Sequence, residues 1–217
     1  MKRSPDAILH ATQARYLEGL ERPRDALLAE MEADAAARNL PISDPEVASF
    51  LFVTARARAP RLVVELGTNI GYGAIVLARG AGAEAKVITV EHNPAHCEVA
   101  RGYIARAGLA GRIEVRQGKA LAELERIPGG IELAYIDCVK EEYTAYLELL
   151  VPRLGERGVV VADNVLWRGH VAASHPPVEE ADRARALGAF NEALMGHPSM
   201  RGVVLPLGDG VAYAVKV

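Results

Sequence analysis

The chain has 217 residues, 50% of them hydrophobic and 24% charged, which excludes disordered, collagen-like and fibrous chains and suits folded domains of roughly 100–200 residues each. With 25 Lys and Arg against 28 Asp and Glu the net charge is −3, so no basic field exists to hold a nucleic-acid backbone and such a partner is disfavoured. The longest apolar runs, Val159 to Ala162 and Ala74 to Ala78, fall far short of the ~18 residues of a membrane-spanning helix, and no membrane partner is expected.

The opening Met1-Lys2-Arg3-Ser4-Pro5-Asp6 has neither the apolar core nor the cleavage site of a signal peptide, so a cytoplasmic location is expected. From Asp6 to Asn39, Ala and Leu recur at helical spacing among charges with an interruption at Pro23, which reads as two helices ahead of the main fold. Pro41 to Pro45 is a break, and Glu46 to Ala57 reads as a helix with Val47, Phe50, Leu51 and Val53 apolar. Beyond Pro60 strands and helices alternate. Strands are expected at Arg61 to Leu66, Lys86 to Glu91, Arg112 to Arg116, Ile131 to Asp137 and Gly158 to Asp163, each short and rich in Val or Ile as buried parallel strands are. Helices are expected between them at Gly73 to Arg79, Pro94 to Ala107, Ala120 to Arg126 and Glu142 to Leu154. A polar loop and a helix from Glu180 to Met195 follow, then strands Arg201 to Leu207 and Val211 to Val217 around the turn Gly208-Asp209-Gly210. The fold class is therefore α/β: a Rossmann-like, doubly wound, seven-stranded sheet, mostly parallel with an antiparallel C-terminal hairpin. A single domain over residues 1–217 is expected, with residues 1–40 a helical extension and 41–217 the core. Cys97 and Cys138 form no CxxC pair and read as reduced, buried thiols.

The first strand runs into Glu65-Leu66-Gly67-Thr68-Asn69-Ile70-Gly71-Tyr72-Gly73, where glycines permit positive φ and bring backbone N–H groups close to a ligand before a helix begins. The same loop without a ligand is a tight strand-to-helix turn. Asn69 stands where a dinucleotide fingerprint has its second glycine, which argues against a pyrophosphate. Glu91 ends the second strand, where a carboxylate accepts both hydroxyls of a ribose, so a nucleoside-containing cofactor is expected. Gly118-Lys119-Ala120 follows the third strand and either lines a base pocket or simply turns into a helix.

Strands four and five end in Asp137-Cys138-Val139-Lys140 and Asp163-Asn164-Val165-Leu166-Trp167. Two carboxylates and an amide oxygen on one rim suit an octahedral divalent ion, Mg2+ first; the alternative is that the same residues cap turns and helices. Lys140 reaches over that rim, and a lysine with a lowered pKa there is a general base. Trp167, the sole tryptophan, either walls a planar substrate or packs beneath its loop.

These motifs, in this order, resemble the cation-dependent catechol-type O-methyltransferases, caffeoyl-coenzyme A O-methyltransferases among them. Val64-Glu65-Leu66-Gly67-Thr68 through Gly71-Tyr72, Val90-Glu91-His92-Asn93-Pro94, Tyr135-Ile136-Asp137 with Lys140, Asp163-Asn164-Val165-Leu166-Trp167 and Leu207-Gly208-Asp209-Gly210 carry the resemblance over about Ile42 to Val217. The resemblance implies S-adenosylmethionine held by Glu65, Gly67, Thr68, Gly71, Tyr72, Gly73, Glu91, His92, Gly118, Lys119, Ala120 and Asp137. It implies a divalent cation (Mg2+, Mn2+ or Ca2+) on Asp137, Asp163 and Asn164, with Lys140 as catalytic base and Trp167 against a phenolic substrate. It also implies a homodimer. Three positions depart from the pattern: Gly73 replaces a serine, Lys119 an aspartate, and Cys138-Val139 an Ala-Asp pair. Two other readings stay open: methyl transfer to a hydroxylated tRNA nucleoside, and a non-catalytic cofactor-binding module, against which the complete Asp137, Lys140, Asp163 and Asn164 set argues.

Overall fold

The computed structural model describes residues 11–20 and 25–217. Two helices, α1 (Ala11–Leu20) and α2 (Ala26–Ala37), lie where helical spacing places them, while Pro23 falls outside the described residues. Asp25 caps α2 by accepting from the N–H groups of Leu27 and Leu28 at 3.0 and 3.2 Å, the usual task of an N-cap carboxylate. No residue of α1 is buried, whereas α2 sends Met31 and Ala35 into the core. Helix α3 (Pro45–Arg58) starts with Pro45 in its first turn, where a missing N–H costs nothing. Its Val47 and Leu51 are buried, but Val53 is exposed, so the expected apolar face is narrower by that residue.

The sheet then forms from β1 (Leu62–Leu66), β2 (Lys86–Glu91), β3 (Ile113–Gln117), β4 (Ile131–Ile136), β5 (Leu154–Ala162), β6 (Met200–Leu205) and β7 (Val211–Lys216). Its order is β3-β2-β1-β4-β5-β7-β6, with β1 to β5 parallel and β7 antiparallel to both β5 and β6. The seven-stranded, mostly parallel sheet is thus as expected. The crossovers carry α4 (Tyr72–Ala81), α5 (Pro94–Arg106), α6 (Ala120–Glu125) and α7 (Tyr143–Arg153), and α8 (Ala181–Met195) precedes the hairpin.

Alternation along the strands divides the core in two. Val63, Val87, Leu133, Tyr135, Val159 and Val161 join α2, α3, α4 and α5 on one face, while Val64, Ile88, Ala134, Ile136, Val160 and Ala162 join α6, α7 and α8 on the other. Strand β5 begins at Leu154, four residues before the expected Gly158. The chain there passes through Arg157 at φ +58 and a register shift opposite Ile131 and Leu133, so an irregular lead-in joins the strand that sequence pattern shows only from Gly158. Among the described residues no helix is long and apolar enough to cross a membrane.

Candidate active site

Strand order reverses between β1 and β4, and an open α/β sheet binds ligands at the carboxyl ends flanking such a point. Register aligns the candidate residues there. Val90 pairs with Leu66, Leu66 with Ile136, and Ile136 with Ala162, so Glu91, Gly67, Asp137 and Asp163 stand in one row along the sheet edge. Neighbours in that row are about 5 Å apart along the strand-to-strand direction.

Backbone dominates the β1–β2 end. Gly67 (φ +102) passes so near β4 that a Cβ would run into the carbonyl oxygen of Asp137, and Gly71 (φ +90) opens α4 without a side-chain cap. Buried Glu91 accepts the backbone N–H of Asn69 and of Asn93, both at 2.9 Å, with His92 Nδ1 3.2 Å away. Beneath the loop Glu65 is only 1% exposed, Thr89 Oγ1 donates to its Oε2 at 2.5 Å, and Thr68 Oγ1 is 2.5 Å from that same threonine. Burial pushes the Glu65 carboxyl up to about 8, opposed by the Thr89 hydrogen bond and helped by the charges of Asp137 and Glu91. Gly73 supplies the room, since a Cβ there would strike Glu65 Oε1. Thr68 thus turns its hydroxyl inward to Thr89. Tyr72 is likewise drawn away, donating to Glu32 of α2 at 2.6 Å. Gly118 donates its N–H to the Glu91 carbonyl, Lys119 is exposed, and Ala120 is buried at the start of α6.

Side chains dominate the β4–β5 end. Lys140 is buried and donates to Asp137 Oδ1 at 2.7 Å and to the Tyr143 hydroxyl at 2.9 Å. Burial lowers its pKa, but Tyr143 and Asp137 outweigh burial and hold it above the ordinary lysine value. The expected lowered pKa is therefore not found in this state: Lys140 is an ammonium ion because its nearest neighbour is a carboxylate. Burial, with Asp137 nearby, pushes Asp163 up to about 7, against the Lys140 charge. Its Oδ1 accepts the N–H of Asn164 at 2.7 Å, and its Oδ2 accepts the Tyr135 hydroxyl at 3.2 Å. Asn164 stands at φ +60, a conformation its short amide tolerates.

Trp167 is half-buried against the β5 side of the core, its indole N–H donating to Glu180 at 2.8 Å and Arg183 lying 5.7 Å over its ring. One ring face is thus already covered. Cys97 is buried, but Cys138, expected to be buried too, is only half-buried because it sits on the rim beside Asp137. Ser43, Thr89 and Tyr143 escaped the sequence reading, and Tyr135 entered it only as part of a motif, with no role assigned. The available signals were a lone tyrosine in the aliphatic β4 and a tyrosine one helical turn beyond Lys140. Among the described residues no group of three or more His, Cys, Asp and Glu gathers as a metal centre; the rim offers a carboxylate pair and an amide.

Residues 23–217 match the sequence profile of the O-methyltransferase family. A catechol O-methyltransferase from Mycobacterium tuberculosis is 39% identical over 178 residues, 81% of this chain and 79% of that one. The cofactor-bound structure of a protein from MTB superposes with TM-score 0.84 at 32% identity, covering 100% of this chain and 99% of the other. The O-methyltransferase from Bacillus cereus in complex with SAH superposes at 0.83 with 29% identity, over 95% of this chain and 97% of that one. A strand-end row that joins a glycine loop, a buried lysine and paired aspartates therefore occurs in a chain that belongs to the O-methyltransferase family of enzymes.

Proposed function

We propose that this chain transfers the methyl group of S-adenosylmethionine to one hydroxyl of a catechol-like small molecule, with a divalent cation held by Asp137, Asp163 and Asn164. The observation that carries this reading is the row of Glu91, Gly67, Asp137 and Asp163, which sets the glycine loop after β1 directly beside a carboxylate pair. The SAH in the Bacillus cereus relative supports the donor, and the name of the Mycobacterium tuberculosis relative supports the acceptor class.

The first turn of α4, which no side chain caps, presents N–H groups suited to the carboxylate of the donor's methionine portion. Glu91 keeps lone pairs for ribose hydroxyls while two backbone N–H groups fix its direction. On the other side the donor set of two carboxylates and an amide is all hard oxygen, and a cation there would offset both the burial of Asp163, the larger cause of its raised pKa, and the charge of Asp137 beside it. Bound there, Mg2+ or Mn2+ would acidify a catechol hydroxyl and orient it. In the transfer itself, the acceptor hydroxyl gives its proton to solvent, its oxygen attacks the methyl carbon, the carbon–sulfur bond breaks, and S-adenosylhomocysteine leaves as a neutral sulfide. Lys140, held as a cation, stabilises the negative charge on that oxygen before it attacks. It can take the phenolic proton only after losing one of its own, which requires Asp137 to stop holding the ammonium form.

The test is methyl transfer from S-adenosylmethionine to caffeic acid and dihydroxybenzoate, with EDTA and then with excess Mg2+. Product that vanishes with chelator and returns with Mg2+ supports the reading. No product from any catechol, from protein that still binds S-adenosylhomocysteine, rejects the acceptor class.

A further inference from the structure

We infer that Tyr135 is a positioning residue for the Asp163 carboxylate, linking it through Ser43 to the segment that precedes α3. The inference rests on the cation reading above and extends it to residues that would not touch the ion. Tyr135 lies on β4 two residues before Asp137 and shares its face with Leu133, so its ring enters the core under α3 and α4 and is only 1% exposed. A phenol has one proton. Because that proton goes to Asp163 Oδ2 at 3.2 Å, the hydroxyl of Ser43, 2.9 Å away, supplies its own proton to the Tyr135 oxygen. The relay therefore has a direction, from Ser43 to Tyr135 to Asp163.

Asp163 is held on three sides. The N–H of Asn164 holds Oδ1 at 2.7 Å, Tyr135 holds Oδ2, and Tyr143, from the opposite face of the sheet, donates to the Asp163 carbonyl at 3.1 Å. Turning the carboxylate about its own axis would break both side-chain contacts, so the lone pairs left for a ligand keep one direction. In this apolar face a phenylalanine would fill the same volume, and a buried hydroxyl is tolerated only when its hydrogen bonds are made. Its contribution here is to aim the carboxylate. The segment bearing Ser43 is itself pinned, because Asn69 in the β1–α4 loop donates its side-chain amide to the Pro41 carbonyl. The donor-side loop and the Asp163 carboxylate thus meet at one short stretch of chain.

Calorimetric titration of the full-length chain with Mn2+ and, separately, with S-adenosylhomocysteine tests this. Removing a group that orients a metal-ligating side chain weakens metal binding by about 10–100-fold, and that loss is expected for Tyr135→Phe, with S-adenosylhomocysteine affinity unchanged. Ser43→Ala is expected to weaken Mn2+ by about threefold, the worth of one neutral hydrogen bond. A Tyr135→Phe protein that binds Mn2+ like the parent overturns the inference, as does one that loses both ligands equally, the mark of a general packing defect. Should Tyr135→Phe show no thermal unfolding transition, Ser43→Ala decides: unchanged Mn2+ affinity overturns the inference. A parent chain that does not bind Mn2+ at all overturns the cation reading and this inference with it, whereas a binding parent with an indifferent variant overturns the inference alone.

Discussion

The two ends of the functional row are built from different materials. Around Gly67 and Glu91 the chain relies on backbone: positive-φ glycines, a helix start without a side-chain cap, and one carboxylate held by two amides. Around Asp137 and Asp163 it relies on charged side chains packed into the core, with Lys140, Tyr135 and Tyr143 as their partners. Backbone geometry tolerates little substitution and does not itself titrate, although Glu65 beneath it does. A buried charge cluster keeps its shape under conservative change, yet its protonation depends on every neighbour. The contrast identifies where chemistry can be removed without loss of binding and where binding can be removed without touching a charge.

The largest expected effect breaks the charged end alone. Lys140→Ala should lower turnover by about 10²–10³-fold, the cost of removing one group that stabilises a developing oxyanion, and leave S-adenosylhomocysteine affinity unchanged. Equal turnover in parent and variant from pH 7 to 9 would remove the lysine from the mechanism. Gly67→Ala breaks the backbone end. The added Cβ meets the Asp137 carbonyl at an unfavourable φ, so a loss of about 2–4 kcal/mol in unfolding free energy is expected, with weakened S-adenosylhomocysteine binding in what remains folded. Unchanged urea denaturation would refute the tight approach.

Protonation sharpens the comparison, because each end buries one raised carboxyl. Glu65 lies near 8 against an ordinary 4.5, and Asp163 near 7 against 3.8, so both bind a proton more tightly folded than unfolded. Their contribution is complete near pH 4 and is lost as pH climbs towards 7 to 8, by at most about 1.4 kcal/mol per pH unit for each group. Calorimetric Tm in EDTA should accordingly fall over pH 5 to 8. Glu65→Gln should flatten the share that extends to pH 8, while added Mn2+ should recover only the share belonging to Asp163. A fall that Mn2+ abolishes entirely would contradict the assignment to Glu65. By the same logic, Mn2+ affinity should weaken below pH 7, by up to about tenfold per pH unit as protons compete for Asp163. The smallest effect concerns Trp167. Trp167→Phe loses one hydrogen bond to Glu180, worth about 1 kcal/mol in thermal stability, and should leave Mn2+ affinity unaltered.

Much of this was legible residue by residue. Lys86 to Glu91 is strand over the same residues that its Val and Ile content marks, and Pro94 opens α5 as its fixed φ and the Asn93 cap require. Gly67 and Gly71 take the positive φ that their placement after β1 suggests. Lead-in Leu154 to Arg157 was not legible, since its strand pairing depends on a register shift against β4. At the site, residue types and order were plain, but protonation was not. Lys140 was expected to have a lowered pKa; in the folded chain its two neighbours reverse the effect of burial.

Sequence by itself determined the alternation of strands and helices, the glycine turns and the chain order that brings four strand ends to one edge, because these depend on local periodicity and backbone freedom. Only the tertiary structure decided which acid is buried beside which base. It alone placed Ser43 against Tyr135, 92 residues along the chain, and Tyr135 against Asp163, 28 residues further. Hydrogen-bond partners and burial are set by distances through space, and those set the charge a side chain carries when a substrate arrives.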